Sequence, residues 1–135
     1  NGPLIRGLNA EGKEIPNWNF SVLVGAGGIF STAEDLSLFA ISQFDLKNKE
    51  LKLTQEKTIE INSNMDIGLG WHLLKPKSYK IWHWHNGGTG GYSSSMAIEE
   101  ELKNGIIILS NVSAYRGDKE NIDALCFELM KTMEK

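Results

Sequence analysis

The sequence predicts an α+β domain: helices first, then an antiparallel sheet of three to four strands, then a C-terminal helix packed on that sheet. Three observations lead there. Apolar residues recur at helical spacing through 32–44 and again through 118–133. Between these stretches the hydrophobic period changes to two, starting at Ile67. After that change, short apolar runs follow one another across brief turns, and strands joined so briefly are antiparallel neighbours.

Residues 4–9 predict one short strand, followed by an irregular stretch broken by Gly12, Pro16 and Asn17. Gly25-Ala26-Gly27-Gly28 predicts a loop. Ser31 is an N-cap with Glu34 completing a capping box, so 32–44 is an amphipathic helix burying Leu36, Phe39, Ala40 and Phe44. Thr54 caps a second helix over about 55–61, ended by Asn62-Ser63-Asn64. Ile67, Leu69, Trp71 and Leu73 alternate with Gly68, Gly70, His72 and Leu74 as one strand. Three more strands are expected near 80–87, 92–99 and 105–112. Ile106 to Leu109 is apolar at every position, which predicts cover on both faces. The last helix carries Ile122, Leu125, Cys126, Leu129, Met130 and Met133 on one face, which should lie on the sheet.

The chain has 135 residues, 41% hydrophobic and 23% charged, which suits a single globular domain. Fourteen Lys and Arg against seventeen Asp and Glu leave a net charge of −3, so there is no basic footprint for nucleic acid and no polybasic membrane anchor. The longest aliphatic run, Ile106–Leu109, falls far below the roughly 20 residues of a membrane span. Cys126 is the sole cysteine, which excludes an internal disulfide and a CxxC metal knuckle. The chain opens on Asn1 with no charged-then-apolar leader, and is expected to be a processed protein or part of a longer one.

Chemistry-bearing residues concentrate in Trp82-His83-Trp84-His85-Asn86-Gly87-Gly88-Thr89-Gly90-Gly91-Tyr92. On a strand, His83, His85 and Gly87 share one face and Trp82, Trp84 and Asn86 the other. Glycines at a strand end let a ligand or another backbone approach, although a tight hairpin needs glycines as well. Two rival readings attach to neighbouring residues. His72, His83 and His85 could converge on zinc. Trp18, Trp71, Trp82 and Trp84 could line a non-catalytic carbohydrate- or peptide-binding module. The two glycine-rich loops lack the Gly-Lys-Ser/Thr of a P-loop and do not complete GxGxxG. Ser93, Ser94 and Ser95 are expected to be polar strand positions, Cys126 a packed thiol, and Glu99-Glu100-Glu101 a solvated hairpin end.

His85-Asn86-Gly87-Gly88-Thr89-Gly90-Gly91-Tyr92 resembles the third motif of the serine β-lactamase and penicillin-binding-protein superfamily, in its His-x-Gly form. That form is frequent in D-alanyl-D-alanine carboxypeptidases, class C β-lactamase-like proteins and esterases. Ala26-Gly27-Gly28-Ile29-Phe30-Ser31-Thr32-Ala33-Glu34-Asp35-Leu36 is similar to the superfamily's glycine-glycine-to-helix segment. Gly68-Leu69-Gly70-Trp71 is similar to its short strand before the third motif, and Arg6-Gly7 fits the stretch upstream. The resemblance implies that His85 donates a hydrogen bond or positive charge into a cleft and that Gly88 supplies one oxyanion-hole N–H. It places Asn86, Gly87 and Thr89 on the substrate side, with Asn86 standing where Thr is usual.

The superfamily's Ser-x-x-Lys and Tyr-x-Asn or Ser-x-Asn motifs are not in these 135 residues, and the spacing of Thr54-Gln55-Glu56-Lys57 falls at a helix start. The resemblance therefore implies a single domain over 1–135 that is the C-terminal portion of a serine hydrolase, with a partial β-lactamase/transpeptidase-like fold, inert by itself. The expected parent acts through an acyl-enzyme on D-amino-acid peptides, small esters or amides, uses no cofactor or metal, and is exported to the periplasm or cell envelope. Its partner is a small-molecule or peptide substrate, with no nucleic acid. In the superfamily the strand corresponding to 105–112 pairs with N-terminal strands, so this edge is expected to associate with a copy of the chain or with that N-terminal part.

Overall fold

A computed structural model of the chain describes residues 4–77, 80–117 and 121–134. Strands β1 (Gly7–Leu8) and β2 (Glu14–Ile15) form a small antiparallel pair. A 3₁₀ turn at Ser21–Leu23 and a one-turn α1 (Val24–Gly27) lead to α2 (Ala33–Gln43) and α3 (Lys49–Gln55). Six strands follow in sequence: β3 (Ile59–Asn62), β4 (Met65–Ile67), β5 (His72–Leu74), β6 (Trp82–Gly88), β7 (Ser93–Glu99) and β8 (Asn104–Ser110). They make one sheet in the order β3-β4-β5-β6-β7-β8, antiparallel at each pairing. The chain closes with α4 (Ile122–Met133).

The class is α+β as expected, but the sheet has six strands rather than three to four. Two local features account for the difference. Lys57 to Ile61, expected to be helical, contains β-branched Thr58, Ile59 and Ile61, and 59–62 instead pairs with β4 around a turn in which the Asn64 amide donates to Asn62 Oδ1 at 2.8 Å. The helix lies upstream, where Asn48 Oδ1 accepts from the Leu51 amide at 3.1 Å. The expected strand through Ile67–Leu73 is also broken. The Gly68 amide donates to the Trp71 carbonyl at 2.8 Å, and Gly70 sits at φ +87°. A side chain on Gly68 would fall 2.6 Å from the Thr54 carbonyl oxygen, so glycine lets this turn press against the end of α3.

The sheet carries a helix on each face. On one, Ala40 of α2 packs with Trp71, Leu73, Met96 and Ile98, flanked by Phe44 and Ile107. On the other, Cys126 and Met130 of α4 pack with Trp82 and Ala97, flanked by Trp84, Ile106, Ile108 and Phe127. The alternate isoleucines of β8 thus serve both clusters, as an uninterrupted apolar run predicts.

Helix ends and faces depart from the expected pattern by small rotations. Thr32 caps α2, accepting from the Asp35 amide at 3.0 Å, one residue after the expected Ser31. The 24–27 stretch closes into a helical turn in place of a loop, with the Gly28 amide on the Val24 carbonyl at 2.8 Å. Asn121 caps α4, while 118–120 of its expected length lie outside the described residues. Within α4, Cys126 and Met130 are buried, whereas Leu125 and Leu129 of the expected face are exposed. Phe127 turns inward in their stead because its ring meets Trp84 at 5.2 Å and Trp82 at 6.2 Å. In α2 the buried position after Ala40 is Gln43, whose backbone and side-chain oxygens both accept from Gln55 Nε2. Glu99, expected in solvent, is buried and its carboxylate accepts from the Glu101 and Leu102 amides at 2.7 and 2.9 Å. Those bonds hold the β7–β8 turn, where Lys103 adopts φ +52°.

Candidate functional site

β6 pairs with β7 along its whole length, Trp82↔Glu99 through Gly88↔Ser93. With β5 it pairs only through Trp82–Trp84, because β5 begins at His72. From His85 to Gly88 the edge turned away from β7 therefore has no strand beside it among the described residues. Antiparallel ladders alternate which residues direct their amide and carbonyl at a given neighbour. The hairpin closes with the Thr89 amide donating to the Tyr92 carbonyl at 2.8 Å. Counting back by twos, Gly87 and His85 address β7, while Asn86 and Gly88 direct their N–H and C=O groups to the open edge. A preorganised N–H on an exposed strand edge can stabilise negative charge developing on a carbonyl oxygen.

His85 is exposed beside this edge, its ring 5.8 Å from that of His72. Gly87 shares its face, and a side chain there would fall 2.8 Å from Ser94 Oγ. A side chain on Gly88 would fall 2.5 Å from the Ala114 Cβ. His85 to Gly88 are exposed, and at Gly87 and Gly88 the missing side chains let Ser94 and Ala114 pack close against the strand.

The other two expected site residues have their side chains in the scaffold. Asn86 lies on the α4 face, and its Nδ2 donates to Asp123 Oδ2 at 2.8 Å, tying the strand to the first turn of α4. Thr89 Oγ1 accepts from the Gly91 and Tyr92 amides at 3.2 and 3.0 Å, closing the turn. Gly91 approaches Gly7 so closely that a side chain on it would lie 3.1 Å from the Gly7 Cα. The Tyr92 hydroxyl donates to the Ile5 carbonyl at 2.7 Å, which fastens the N-terminal segment to the same hairpin. Asp123 had no local signal, since 37 residues separate it from Asn86. The open edge itself depends on where β5 starts, which the glycine turn at 68–71 decides.

The three imidazoles do not converge. His83 is buried on the α2 face, edge-on to Trp71 at 6.3 Å, and burial pushes its pKa down; a hydrogen bond to the Gln55 backbone opposes that shift and the Lys52 charge adds to it. His72 lies on the α4 face beside Trp84, with ring centroids 4.9 Å apart. Among the described residues no group of three or more His, Cys, Asp or Glu side chains is placed to hold a metal ion. Nor do the tryptophans form a platform. Trp71 and Trp82 are buried, and half-buried Trp84 donates from Nε1 to Ser95 Oγ at 3.1 Å, which leaves Trp18 as the accessible one.

Other nucleophile candidates are engaged structurally. The Thr54 hydroxyl donates to the Leu51 carbonyl at 2.6 Å, and Lys57 pairs with Glu60 and Asp66. Ser93 donates to the Val112 carbonyl at 3.2 Å. Cys126 is a buried packed thiol whose pKa burial pushes up.

The family model described as Beta-lactamase matches residues 2–126. No curated protein matches the chain.

Proposed function

The chain belongs to the β-lactamase family, and on that premise we propose that its open β6 edge is one wall of a serine-hydrolase cleft. The observation that carries the proposal is the unpaired edge at 85–88, with the Gly88 N–H turned into it. An ester or amide carbonyl lies against this edge. A serine hydroxyl on polypeptide outside these residues attacks it, and the oxyanion that forms takes a hydrogen bond from Gly88. His85 donates a hydrogen bond or positive charge from the exposed side of the strand. Gly87 keeps the strand edge open, with the Ser94 hydroxyl in the space a side chain would take. Asn86 serves the substrate through its backbone, since its side chain holds Asp123. Thr89 fixes the turn that presents Gly88.

An extended D-amino-acid peptide suits such an edge, because it can add main-chain bonds to Asn86 and Gly88 as a further strand; small esters and amides need only the carbonyl contact. No cofactor enters this chemistry. The proposed parent works outside the cytoplasm, in the periplasm or cell envelope. No helix among the described residues is long and apolar enough to cross a membrane. Incubation with an activated ester or a fluorescent penicillin, followed by mass spectrometry, tests the proposal. The complete protein with an upstream Ser-x-x-Lys should carry one acyl group, and the 135-residue chain none. A stable acylated side chain on the chain alone would overturn it.

The chain's exposed apolar surface supports the same division. Val22 is 93% exposed and Ile29 85%, close before α2, where further polypeptide would cover them. β8 stands at the end of the sheet, with apolar Ile106–Leu109 at its centre. A parallel bridge between Leu8 and Val112 lies just beyond its last residue, and among the described residues no strand pairs with the outer edge of Asn104–Ser110, the edge proposed to pair with a copy of the chain or with an N-terminal segment. Sedimentation equilibrium should show a concentration-dependent dimer, dissociated by a proline at a position in β8 that points its N–H outward. A monomer across the accessible concentration range would remove self-pairing.

A further inference from the structure

Helix α3 is fastened by polar contacts gathered at its last turn. Its buried residue is Gln55, while Leu53 is 54% exposed. Gln55 Nε2 donates to the Oε1 and the backbone carbonyl of buried Gln43 at 2.9 and 3.2 Å, and Gln55 Oε1 accepts from Lys52 Nζ at 3.0 Å. Lys52 also pairs with Glu100. One residue before Gln55, the Thr54 carbonyl accepts from the Leu69 amide at 2.9 Å and meets Gly68. A further fastening comes from β6, where the buried His83 ring donates to the Gln55 backbone. A helix held this way has little apolar burial to keep it in place once those bonds go.

His83 makes this bond as a neutral ring. Its N–H is used on Gln55, and Nδ1 has no partner among the described residues. A second proton would create a buried donor with nothing to receive it. The surrounding groups do not relieve that cost. Trp71, Leu73 and Ile98 press apolar surface on the ring. From α2 comes uncharged Gln43, and Asp45 beyond that helix acts on Lys52. From α3 the Lys52 charge repels an imidazolium. From β7 the Glu99 carboxylate attracts one, but the Glu101 and Leu102 amides already hold it, and Glu100 is taken by Lys52. His85, two residues along the same strand face, is exposed.

We propose that His83 is a proton-sensitive latch on α3: when the ring takes a second proton it leaves Gln55, and α3 releases the sheet together with the 68–71 turn braced on Thr54. The latch belongs to the chain's own fold and holds whether or not the β6 edge is a cleft wall. Because that turn decides where β5 begins, release loosens the strand that flanks β6 just before His85. Burial keeps the His83 pKa below its usual value of about 6.5, so a proton prefers the released form. The latch is therefore closed above about pH 6.5 and loosens as pH falls below it.

The test uses the chain itself. Amide hydrogen exchange is followed by NMR from about pH 7.5 to about pH 5. The imidazoles of His72, His83 and His85 are titrated alongside, assigned by single His→Gln variants. Protection of the Lys52 and Leu69 amides should fall by up to about tenfold per pH unit below about 6.5, the limit for one linked proton. The β7–β8 ladder should keep its protection over the same range. His83→Gln should abolish the pH dependence, while His72→Gln and His85→Gln should leave it. If His83→Gln does not fold, the unaltered chain still decides: His83 must titrate below exposed His85, over the range in which α3 loses protection. Protection at α3 that ignores pH, a loss shared equally by β7–β8, a His83 ring that titrates no lower than His85, or pH dependence surviving in His83→Gln would each overturn the proposal.

Discussion

In a complete serine hydrolase of the proposed kind, exchanging the Gly87–Gly88 amide for an ester should lower kcat by about 10²–10³, the usual effect of removing one oxyanion donor. The exchange deletes the Gly88 N–H and adds no atom, so the Ala114 methyl, which any side chain at Gly88 would approach to 2.5 Å, is not disturbed. That N–H also lies outside the β6–β7 ladder, since the hairpin bond from Thr89 to Tyr92 assigns the odd-numbered residues to β7. Melting temperature should therefore hold. The same exchange one residue earlier, deleting the Gly87 N–H, makes the opposite prediction. It removes a ladder bond to β7, with a cost of about 1 kcal/mol in stability and little change in kcat. Steady-state kinetics on an activated ester and thermal melts of both proteins decide the matter. An unchanged kcat for the Gly88 ester would show that this edge does not bear the oxyanion.

Ile98→Ala destabilises the chain by about 2–5 kcal/mol, a large share of the roughly 5–15 kcal/mol that hold a domain together. Ile98 is 0% exposed in the cluster beneath α2, with Trp71, Leu73 and Met96 around it. Met130→Ala should cost a similar amount from the other face, where Met130 is 0% exposed under α4. The two side chains belong to separate clusters, so urea denaturation of the double variant should return nearly the sum. Leu129→Ala is the discriminating control. The apolar periodicity of α4 places Leu129 on the buried face, but the fold leaves it 38% exposed, and its loss should cost well under 2 kcal/mol. A large loss at Leu129 with a small one at Met130 would mean that α4 sits rotated from the face described.

Periodicity, turn residues and an ordered set of motifs were enough for the α+β class, the two long helices, the last three strands and the family, because each depends on residues close together in sequence. The same locality explains the errors. Leu69 and Trp71 alternate like a strand, and only the contact of Gly68 with the end of α3 turns them into a bend. Leu125 and Leu129 fit a helical stripe as well as Phe127 does, and only the rings of Trp82 and Trp84 draw Phe127 inward. Gln43 and Glu99 look like surface residues until their partners, Gln55 and the turn amides, enclose them. At the site, the chain itself determined that His85, Gly87 and Gly88 share one short strand. Tertiary structure alone decided that β5 stops short of them and that Asp123 takes the Asn86 side chain. Those outcomes rest on groups far apart in sequence meeting across the sheet, where burial and hydrogen-bond pairing, not local preference, set the energy.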